Sequence, residues 1–203
     1  MRVAIVKYNA GNVRSVEFAL HRLGVEGEVT DDPEKLRSAD RVIFPGVGEA
    51  GTAMAYLRER RLDEVIPTLT QPVLGICLGL QLLCESSEEA DTRCMGVFPH
   101  VVRRFEAGFE SGDSRARLKV PQIGWNTVQH DGDGVFSALP ADPHMYFVHS
   151  YFAADGPCTA ATTEYGVRFA SALRKDNFHA VQFHPEKSAD AGHALLKAFL
   201  ELG

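Results

Sequence analysis

The chain has 203 residues, of which 45% are hydrophobic and 24% charged, and this composition is that of a globular protein rather than a disordered one. The 21 basic and 27 acidic residues give a formal net charge of −6, so we expect no nucleic-acid partner. No apolar run is long enough for a membrane span, and the first residues form a strand pattern rather than a leader, so we expect a cytoplasmic protein. The 4 cysteines are too few for a disulfide scaffold.

Short apolar runs alternate with helical patterns along the first half of the chain. The runs predict strands at residues 3–6, 28–30, 41–44 and 73–76. Apolar residues at helical spacing follow the first, third and fourth runs, beginning near Val13, Met54 and Leu78. Such alternation is typical of a parallel α/β sheet that is flanked by helices.

The second half contains candidate strands without long helices between them. They lie at residues 97–105, 124–128, 145–151, 159–163, 167–173 and 179–183. This pattern predicts an antiparallel extension of the same sheet, with a polar surface loop at 106–119 and a last helix that begins near Ser188. No linker or internal repeat divides the sequence, so we expect residues 1–203 to form a single domain.

The sequence Gly75-Ile76-Cys77-Leu78-Gly79 stands where the fourth predicted strand turns into a helix. A nucleophile between two glycines at such a turn is typical of a strained elbow that presents a reactive side chain. The helix N-terminus favours a thiolate at Cys77, and the N–H of Leu78 is a candidate oxyanion donor. A buried cysteine in an ordinary strand-to-helix turn is the alternative interpretation of these residues.

A thiol nucleophile needs a base, and the sequence Phe183-His184-Pro185-Glu186 follows the last predicted strand. Residues two apart in an extended chain face the same side, so His184 and Glu186 can point into one cleft. The carboxylate then orients the imidazole and stabilises its protonated form. A strand-end turn with a surface carboxylate is the alternative. Both this motif and Cys77 lie at predicted carboxyl ends of strands, where parallel sheets build their sites.

A third segment, Pro45-Gly46-Val47-Gly48-Glu49, follows the third predicted strand. Its glycines allow peptide orientations that direct N–H groups at an anion, so the segment is a candidate for a second oxyanion donor. A phosphate-binding loop is the alternative, although no Walker lysine follows. The sequence predicts no metal site and no cofactor.

These three segments, in this order, resemble the class I glutamine amidotransferases. The similarity extends through residues 9–12, 120–126, 146–151 and 187–188, and so spans essentially the whole chain. Within that family, these motifs are similar to the glutaminase subunits that pass ammonia to a (β/α)₈-barrel cyclase subunit. The resemblance implies a flavodoxin-like mixed sheet flanked by helices, and the hydrolysis of glutamine as substrate. A glutaminase subunit for anthranilate or pyridoxal phosphate synthesis, and a non-catalytic regulatory module, are the alternatives.

The resemblance also implies roles for individual residues. Cys77 would attack the glutamine amide to form a glutamyl thioester, His184 would protonate departing ammonia and then activate water, and Glu186 would orient His184. The expected oxyanion hole comprises Val47, Gly48 and Leu78. The expected contacts to glutamine are Gly46, Gln81, Glu89, Ser150 and Tyr151. The expected contacts to the cyclase are Asn12, Trp125, Asn126 and Lys187.

Three of these positions also have ordinary interpretations. Gln81 is one helical turn after Cys77, but glutamines on helices are usually solvated. Trp125 is the single tryptophan of the chain, for which a place in the core is the default. Lys187 is equally consistent with an exposed lysine ahead of a helix.

Overall fold

The structure is a computed structural model that describes residues 1–9, 12–106, 110–111, 114–117 and 119–203. In the first half, the four predicted strands and the three predicted helices are present, together with two short helices and two short strands that the sequence does not predict. The strands are β1 (Val3–Val6), β2 (Gly27–Thr30), β3 (Arg41–Gly46), β4 (Val73–Cys77), β5 (Ser86–Ser87) and β6 (Thr92–Arg93). The helices are α1 (Val13–Arg22), α2 (Pro33–Ser38), α3 (Ala50–Glu59), α4 (Leu62–Val65) and α5 (Leu78–Leu83).

The second half is built mainly of strands and ends in a helix. The strands are β7 (Val101–Arg104), β8 (Glu110–Ser111), β9 (Ser114–Arg117), β10 (Gln122–Thr127), β11 (Gln129–His130), β12 (His144–His149), β13 (Tyr151–Ala153), β14 (Thr159–Tyr165), β15 (Val167–Lys175) and β16 (Phe178–Val181). The last helix is α6 (Ala189–Leu200), and a single 3₁₀ turn, Pro185–Lys187, precedes it.

One mixed sheet joins the two halves of the chain. Its parallel part has the order β2-β1-β3-β4-β16, and β15 then pairs antiparallel with β16 and starts an antiparallel extension. The predicted mixed sheet is therefore confirmed. β16 occupies the junction between the parallel and antiparallel parts.

Two predictions for the second half are wrong in part. The run at 145–151 is two strands rather than one, because β12 pairs with β10 in a separate antiparallel sheet while β13 joins the main sheet. The segment at 106–119 includes the paired strands β8 and β9, so it is not simply a loop; residues 107–109, 112–113 and 118 lie outside the described residues. Polarity misled this prediction, since pairing between backbone groups does not require an apolar face.

Alternation along the central strands produces two cores, one on each face of the sheet. Val3 and Ile5 of β1 face the core that α1 and α6 cover, whereas Ala4 and Val6 face the core that α3 and α5 cover. Strands that are buried on both faces read as continuous apolar runs, which is why their positions could be predicted.

The parallel strands β3, β4 and β16 end at one edge of the sheet. Gly46 at the end of β3 is in register with Cys77 at the end of β4, and Ile76 is in register with Val181 at the end of β16. The chain segments that follow these strands therefore meet. Separately, no helix within the described ranges is long and apolar enough to cross a membrane.

Candidate active site

Cys77 lies at a sharp turn between β4 and α5. Its φ of 54° and ψ of −107° put it in a backbone region that side-chain-bearing residues rarely adopt. The flanking glycines allow the turn to pack closely. A Cβ at Gly79 would overlap the carbonyl oxygen of Phe44, and a Cβ at Gly75 would approach the Gly79 backbone to 3.1 Å. The elbow expected from the sequence is therefore formed.

His184 and Glu186 are buried together beyond the end of β16. Nδ1 of His184 is 2.7 Å from Oε1 of Glu186, and both side chains are fully shielded from solvent. The His184 backbone is fixed on both sides, because its N–H donates to the Tyr146 carbonyl at 2.9 Å and its carbonyl accepts from the Ser188 hydroxyl at 2.6 Å. The pair is therefore held by the backbone as well as by its own hydrogen bond.

The Nε2 atom of His184 is directed to the Cys77 side of the site. Burial lowers the pKa of His184, but the facing Cys77 sulfur and the Glu186 carboxylate outweigh it and raise that pKa to about 10. Nε2 has no hydrogen bond of normal geometry to any described residue. The sulfur is thus near enough to favour the imidazolium, while the thiol–imidazole bond is not closed.

Asn12 contributes a contact that the sequence does not reveal. Its Nδ2 donates to Oε1 of Glu186 at 2.5 Å and lies 3.4 Å from Nδ1 of His184. Asn12 has a left-handed φ of 76° at the start of α1, and its side chain makes no capping hydrogen bond there. The amide of this predicted partner contact is directed inward, onto the carboxylate of the His–Glu pair.

A cavity of about 320 Å³ lies against the elbow, at the lower end of the usual range for small-molecule sites of roughly 300–1,000 Å³. Most of the predicted oxyanion and substrate residues line it. The lining residues are Val47, Gly48, Cys77, Leu78, Gln81, Glu89, Pro121, Val148, His149, Ser150 and Tyr151.

Gly46 is buried beside the cavity rather than lining it. A Cβ at this position would overlap the hydroxyl of Tyr8, which donates to the Pro45 carbonyl at 2.7 Å. Burial and the nearby Cys77 sulfur raise the pKa of Tyr8 well above its usual value, so the phenol stays neutral. Tyr8, which no sequence motif indicates, therefore anchors the start of the glycine loop.

The polar side chains of the cavity are themselves held in place. Oε2 of Glu89 accepts from the N–H of Ala50 at 2.8 Å, and burial raises the pKa of Glu89. Nε2 of Gln81 donates to the Tyr151 carbonyl at 2.9 Å and to Oε1 of Gln182 at 3.1 Å. Gln81 is thus a buried residue held by two hydrogen bonds, and not a solvated helix glutamine.

A second buried histidine borders the cavity without resembling a base. Nδ1 of His149 is 2.7 Å from the Tyr151 carbonyl, and Nε2 is 3.0 Å from Oε1 of Gln122. Burial lowers the pKa of His149 to about 4, and the charge of His184 acts in the same direction. His149 is therefore neutral, and its single N–H lies on Nδ1 because the Tyr151 carbonyl can only accept, while Nε2 faces the Gln122 side-chain amide. His184, in contrast, has an Nε2 without a hydrogen bond among the described residues.

The other cysteines differ from Cys77 in their surroundings. Burial raises the pKa of Cys84 well above its usual value and that of Cys94 to about 11, so both remain thiols. Cys158 is half-buried, and all four cysteines are free. Over the described ranges, no cluster of His, Cys, Asp or Glu is arranged to hold a metal ion.

The remaining predicted partner residues lie at or near the surface. Trp125 of β10 is 53% exposed and packs edge-on against Tyr146 at 6.0 Å between ring centres, so it is not a core residue. Lys187 is exposed at the end of the turn that follows His184. Asn126 donates through Nδ2 to the Glu164 carbonyl at 2.9 Å.

Comparison with known proteins gives a consistent result. Residues 5–202 match the family described as Glutamine amidotransferase class-I. The chain is 52% identical over 202 residues to a Bacteroides fragilis protein named Imidazole glycerol phosphate synthase subunit HisH, with 100% of both chains covered. It is 50% identical to the protein of that name from Bacteroides thetaiotaomicron, again with 100% of both chains covered. A solved structure of a glutamine amidotransferase shares the fold, with a TM-score of 0.73, 21% identity and coverage of 98% of this chain and 97% of that one.

Proposed function

The chain belongs to the class I glutamine amidotransferase family, and we propose that it hydrolyses glutamine to glutamate and ammonia with Cys77, His184 and Glu186. Full-length relatives at 50–52% identity are subunits of imidazole glycerol phosphate synthase, so the chain is an enzyme subunit of histidine biosynthesis. The observation that carries the proposed chemistry is the buried His184–Glu186 pair beside the strained elbow of Cys77.

The first half of the reaction forms a thioester. The Cys77 sulfur attacks the side-chain amide carbon of glutamine, and the tetrahedral intermediate collapses as the C–N bond breaks. The protonated His184 gives its proton to the departing nitrogen, so that ammonia leaves and a glutamyl thioester remains. The raised pKa of His184 favours the protonated ring that this step requires.

The second half of the reaction hydrolyses that thioester. Neutral His184 now takes a proton from water, whose oxygen attacks the thioester carbon and expels the Cys77 sulfur. Glu186 fixes the ring through Nδ1, leaving Nε2 to exchange the proton, and it stabilises the imidazolium in both halves.

The oxyanion of each intermediate needs donors on the opposite side from His184. The Leu78 N–H at the start of α5 is one candidate, and the peptides of Val47 and Gly48 across the cavity are the others. Gly48 has a φ of +124° in an exposed loop, which supports a peptide that can reorient when the site is completed.

The substrate would lie in the cavity with its amide at Cys77. Glu89 offers a carboxylate to the α-ammonium group, and Ser150 offers a hydroxyl and backbone groups to the polar end of glutamine. Gln81, Gly46 and Tyr151 support these contacts by holding the cavity walls. This arrangement suits a small zwitterionic amino acid.

We also propose that residues 1–203 act as one domain and that the acceptor reaction takes place on a (β/α)₈-barrel cyclase subunit. Pairing of β4 with β16 unites the two halves of the chain in one sheet, which supports the first proposal. Exposed Trp125 supports a partner surface, because tryptophan is a frequent interface anchor, and the exposed Lys187 adds a positive charge for that surface. Tyr146 connects this surface to the site, since its ring packs on Trp125 and its backbone forms hydrogen bonds with His184 and Ser188.

The alternatives receive less support. The relatives described above are subunits of imidazole glycerol phosphate synthase rather than of anthranilate or pyridoxal phosphate synthases. A non-catalytic module would not need a strained cysteine beside a buried His–Glu pair.

The decisive experiment separates ammonia production from ammonia use. Cys77→Ala in the assembled synthase should abolish synthesis of imidazole glycerol phosphate from glutamine, because no thioester forms. Synthesis from added ammonium chloride should continue at the wild-type rate. The measurement is product formation with each nitrogen source.

Cys158→Ala is the matched control, since Cys158 lies away from the cavity and should leave both activities unchanged. If ammonium does not rescue Cys77→Ala, Cys77 has a role other than the release of ammonia. If Cys77→Ala still uses glutamine, the proposed nucleophile is wrong.

The chain without its partner should be a poor glutaminase, because the loop around Val47 and Gly48 completes the oxyanion hole only in the complex. Glutamate release by the purified chain should rise by about 100-fold or more when the cyclase and its substrate are added. Full turnover by the chain alone would contradict this expectation.

A further inference from the structure

Gln182 is a fully buried residue that the mechanism above does not use. It follows β16 and stands two residues before His184, so in extended chain it faces the same side. Its Nε2 lies 3.7 Å from the Cys77 sulfur, and its Oε1 lies 3.1 Å from Nε2 of Gln81. Its backbone N–H donates to the Ser171 carbonyl at 2.9 Å, which continues the pairing with β15.

The hydrogen bonds determine which end of the Gln182 amide faces the sulfur. The Tyr151 carbonyl can only accept, so the Gln81 atom 2.9 Å from it must be the amide nitrogen. That nitrogen then directs its second hydrogen to Gln182, which must present its oxygen in return. The amide nitrogen of Gln182 therefore points to Cys77. This orientation is determined by the Tyr151 carbonyl, which acts through Gln81.

We propose that Gln182 is a catalytic residue that donates a hydrogen bond to the Cys77 sulfur, and that Gln81 holds its amide in the donating orientation. A donor at this position favours the thiolate over the thiol, because hydrogen bonds to a charged acceptor are stronger than those to a neutral one. The same donor stabilises the sulfur when it is expelled from the second tetrahedral intermediate. The proposal rests on the proposed function in that Cys77 is taken as the nucleophile.

This role is distinct from that of His184. The imidazolium supplies charge and a proton, whereas the amide of Gln182 does not titrate and donates in every step. Among the described residues, the other ionisable groups near the sulfur are His184 with Glu186 behind it, the neutral phenol of Tyr8, and Glu89 and the neutral His149, which line the same cavity. A change in Gln182 alters none of these charges directly.

The test follows the ionisation of Cys77 without requiring turnover. Iodoacetamide alkylates the thiolate, forming a C–S bond and releasing iodide, and mass spectrometry of the Cys77 peptide reports the rate at each pH. The full chain with Gln182→Met is nearly isosteric at this site but has no donor. We expect its alkylation midpoint to lie about one pH unit above that of the wild type, with alkylation about tenfold slower below both midpoints.

Ser171→Ala is the matched control on the neighbouring strand. It keeps the backbone bond to Gln182 and removes a buried hydroxyl that has no partner among the described residues. Its midpoint should equal that of the wild type. An unchanged midpoint in Gln182→Met, or an equal shift in Ser171→Ala, would overturn the proposal.

A second measurement on the unmutated chain decides the matter if Gln182→Met does not fold. The side-chain amide protons of Gln182, followed by ¹⁵N NMR, should shift with the alkylation midpoint of Cys77 and stop titrating once Cys77 is alkylated. An amide that does not respond to the ionisation of Cys77 would overturn the proposal. Both measurements use iodoacetamide and no glutamine, so they remain informative if the glutaminase proposal fails.

Discussion

Two glycine-containing turns meet at the carboxyl edge of the sheet, and they need their glycines for opposite reasons. In the elbow, a Cβ at Gly79 would overlap the Phe44 carbonyl, so the glycine is required by close packing. In the loop after β3, a Cβ at Gly48 would meet nothing within 4 Å, but its φ of +124° disfavours any side chain. The elbow is therefore fixed before substrate arrives, and the loop is the part of the site that can adjust.

Gly79→Ala should have the largest effect, because the obstructing atom belongs to the backbone of β3 and cannot move alone. We expect a loss of about 3 kcal/mol in the free energy of unfolding, measured by urea denaturation of the purified chain. Gly51→Ala is the control. There the nearest atom to the added Cβ is the side-chain oxygen of Glu49 at 2.7 Å, which caps helix α3 and can move aside at the expense of its hydrogen bonds to the Gly51 and Thr52 N–H groups. The higher helix propensity of alanine offsets part of that loss, so the change should stay below about 1 kcal/mol. Equal stabilities for both variants would contradict the packing argument.

Gly48→Ala should reverse this pattern, with stability within about 1 kcal/mol of the wild type but glutaminase kcat in the complex about 100-fold lower. An exposed loop can relax around the added methyl group, but its N–H groups are then no longer oriented to donate to the oxyanion. Gly96→Ala is the matched control, since Gly96 also has a positive φ of +70° with open space around it but lies outside the cavity. Full activity in Gly48→Ala would show that the loop does not take part in catalysis.

Asn12→Ala tests whether residues outside the elbow also hold the site in a fixed arrangement. The variant loses the 2.5 Å hydrogen bond to Glu186, and we expect kcat to fall about tenfold with KM unchanged. Measurement at saturating cyclase separates this positioning role from a contact with the partner, which excess partner would restore. Asn9→Ala removes an exposed bond to the Thr52 carbonyl nearby and should leave kcat unchanged.

Local patterns predicted the parts of the molecule that local forces determine. The strands at 3–6 and 41–44 are found as β1 and β3, because burial on both faces leaves a continuous apolar run. The sequence does not predict helix α2, because Asp32-Pro33 also suits a turn. In the structure Asp32 caps the helix by accepting from the Glu34 N–H at 2.9 Å.

In the candidate site, too, the contacts between residues close in sequence could be predicted and the long-range contacts could not. The pairing of His184 with Glu186 follows from their spacing of two residues, and the elbow follows from its glycines. The contact of Asn12 with Glu186 joins residues 174 positions apart, and no sequence period encodes it. The sequence could have indicated Gln182, since positions 182, 184 and 186 alternate onto one face of an extended chain. The orientation of its amide could not be predicted, because it depends on Gln81 and the Tyr151 carbonyl.

The central position of β16 in the sheet has a consequence for how the protein folds during its synthesis. This strand is synthesised long after β4, yet it inserts between β4 and β15 and leads directly to His184. A nascent chain therefore contains Cys77 long before it contains His184, the proposed base. Parallel pairing of β4 with such a distant strand is entropically slow, so in the proposed mechanism the thiol is activated only after β16 and His184 have left the ribosome and the sheet has closed.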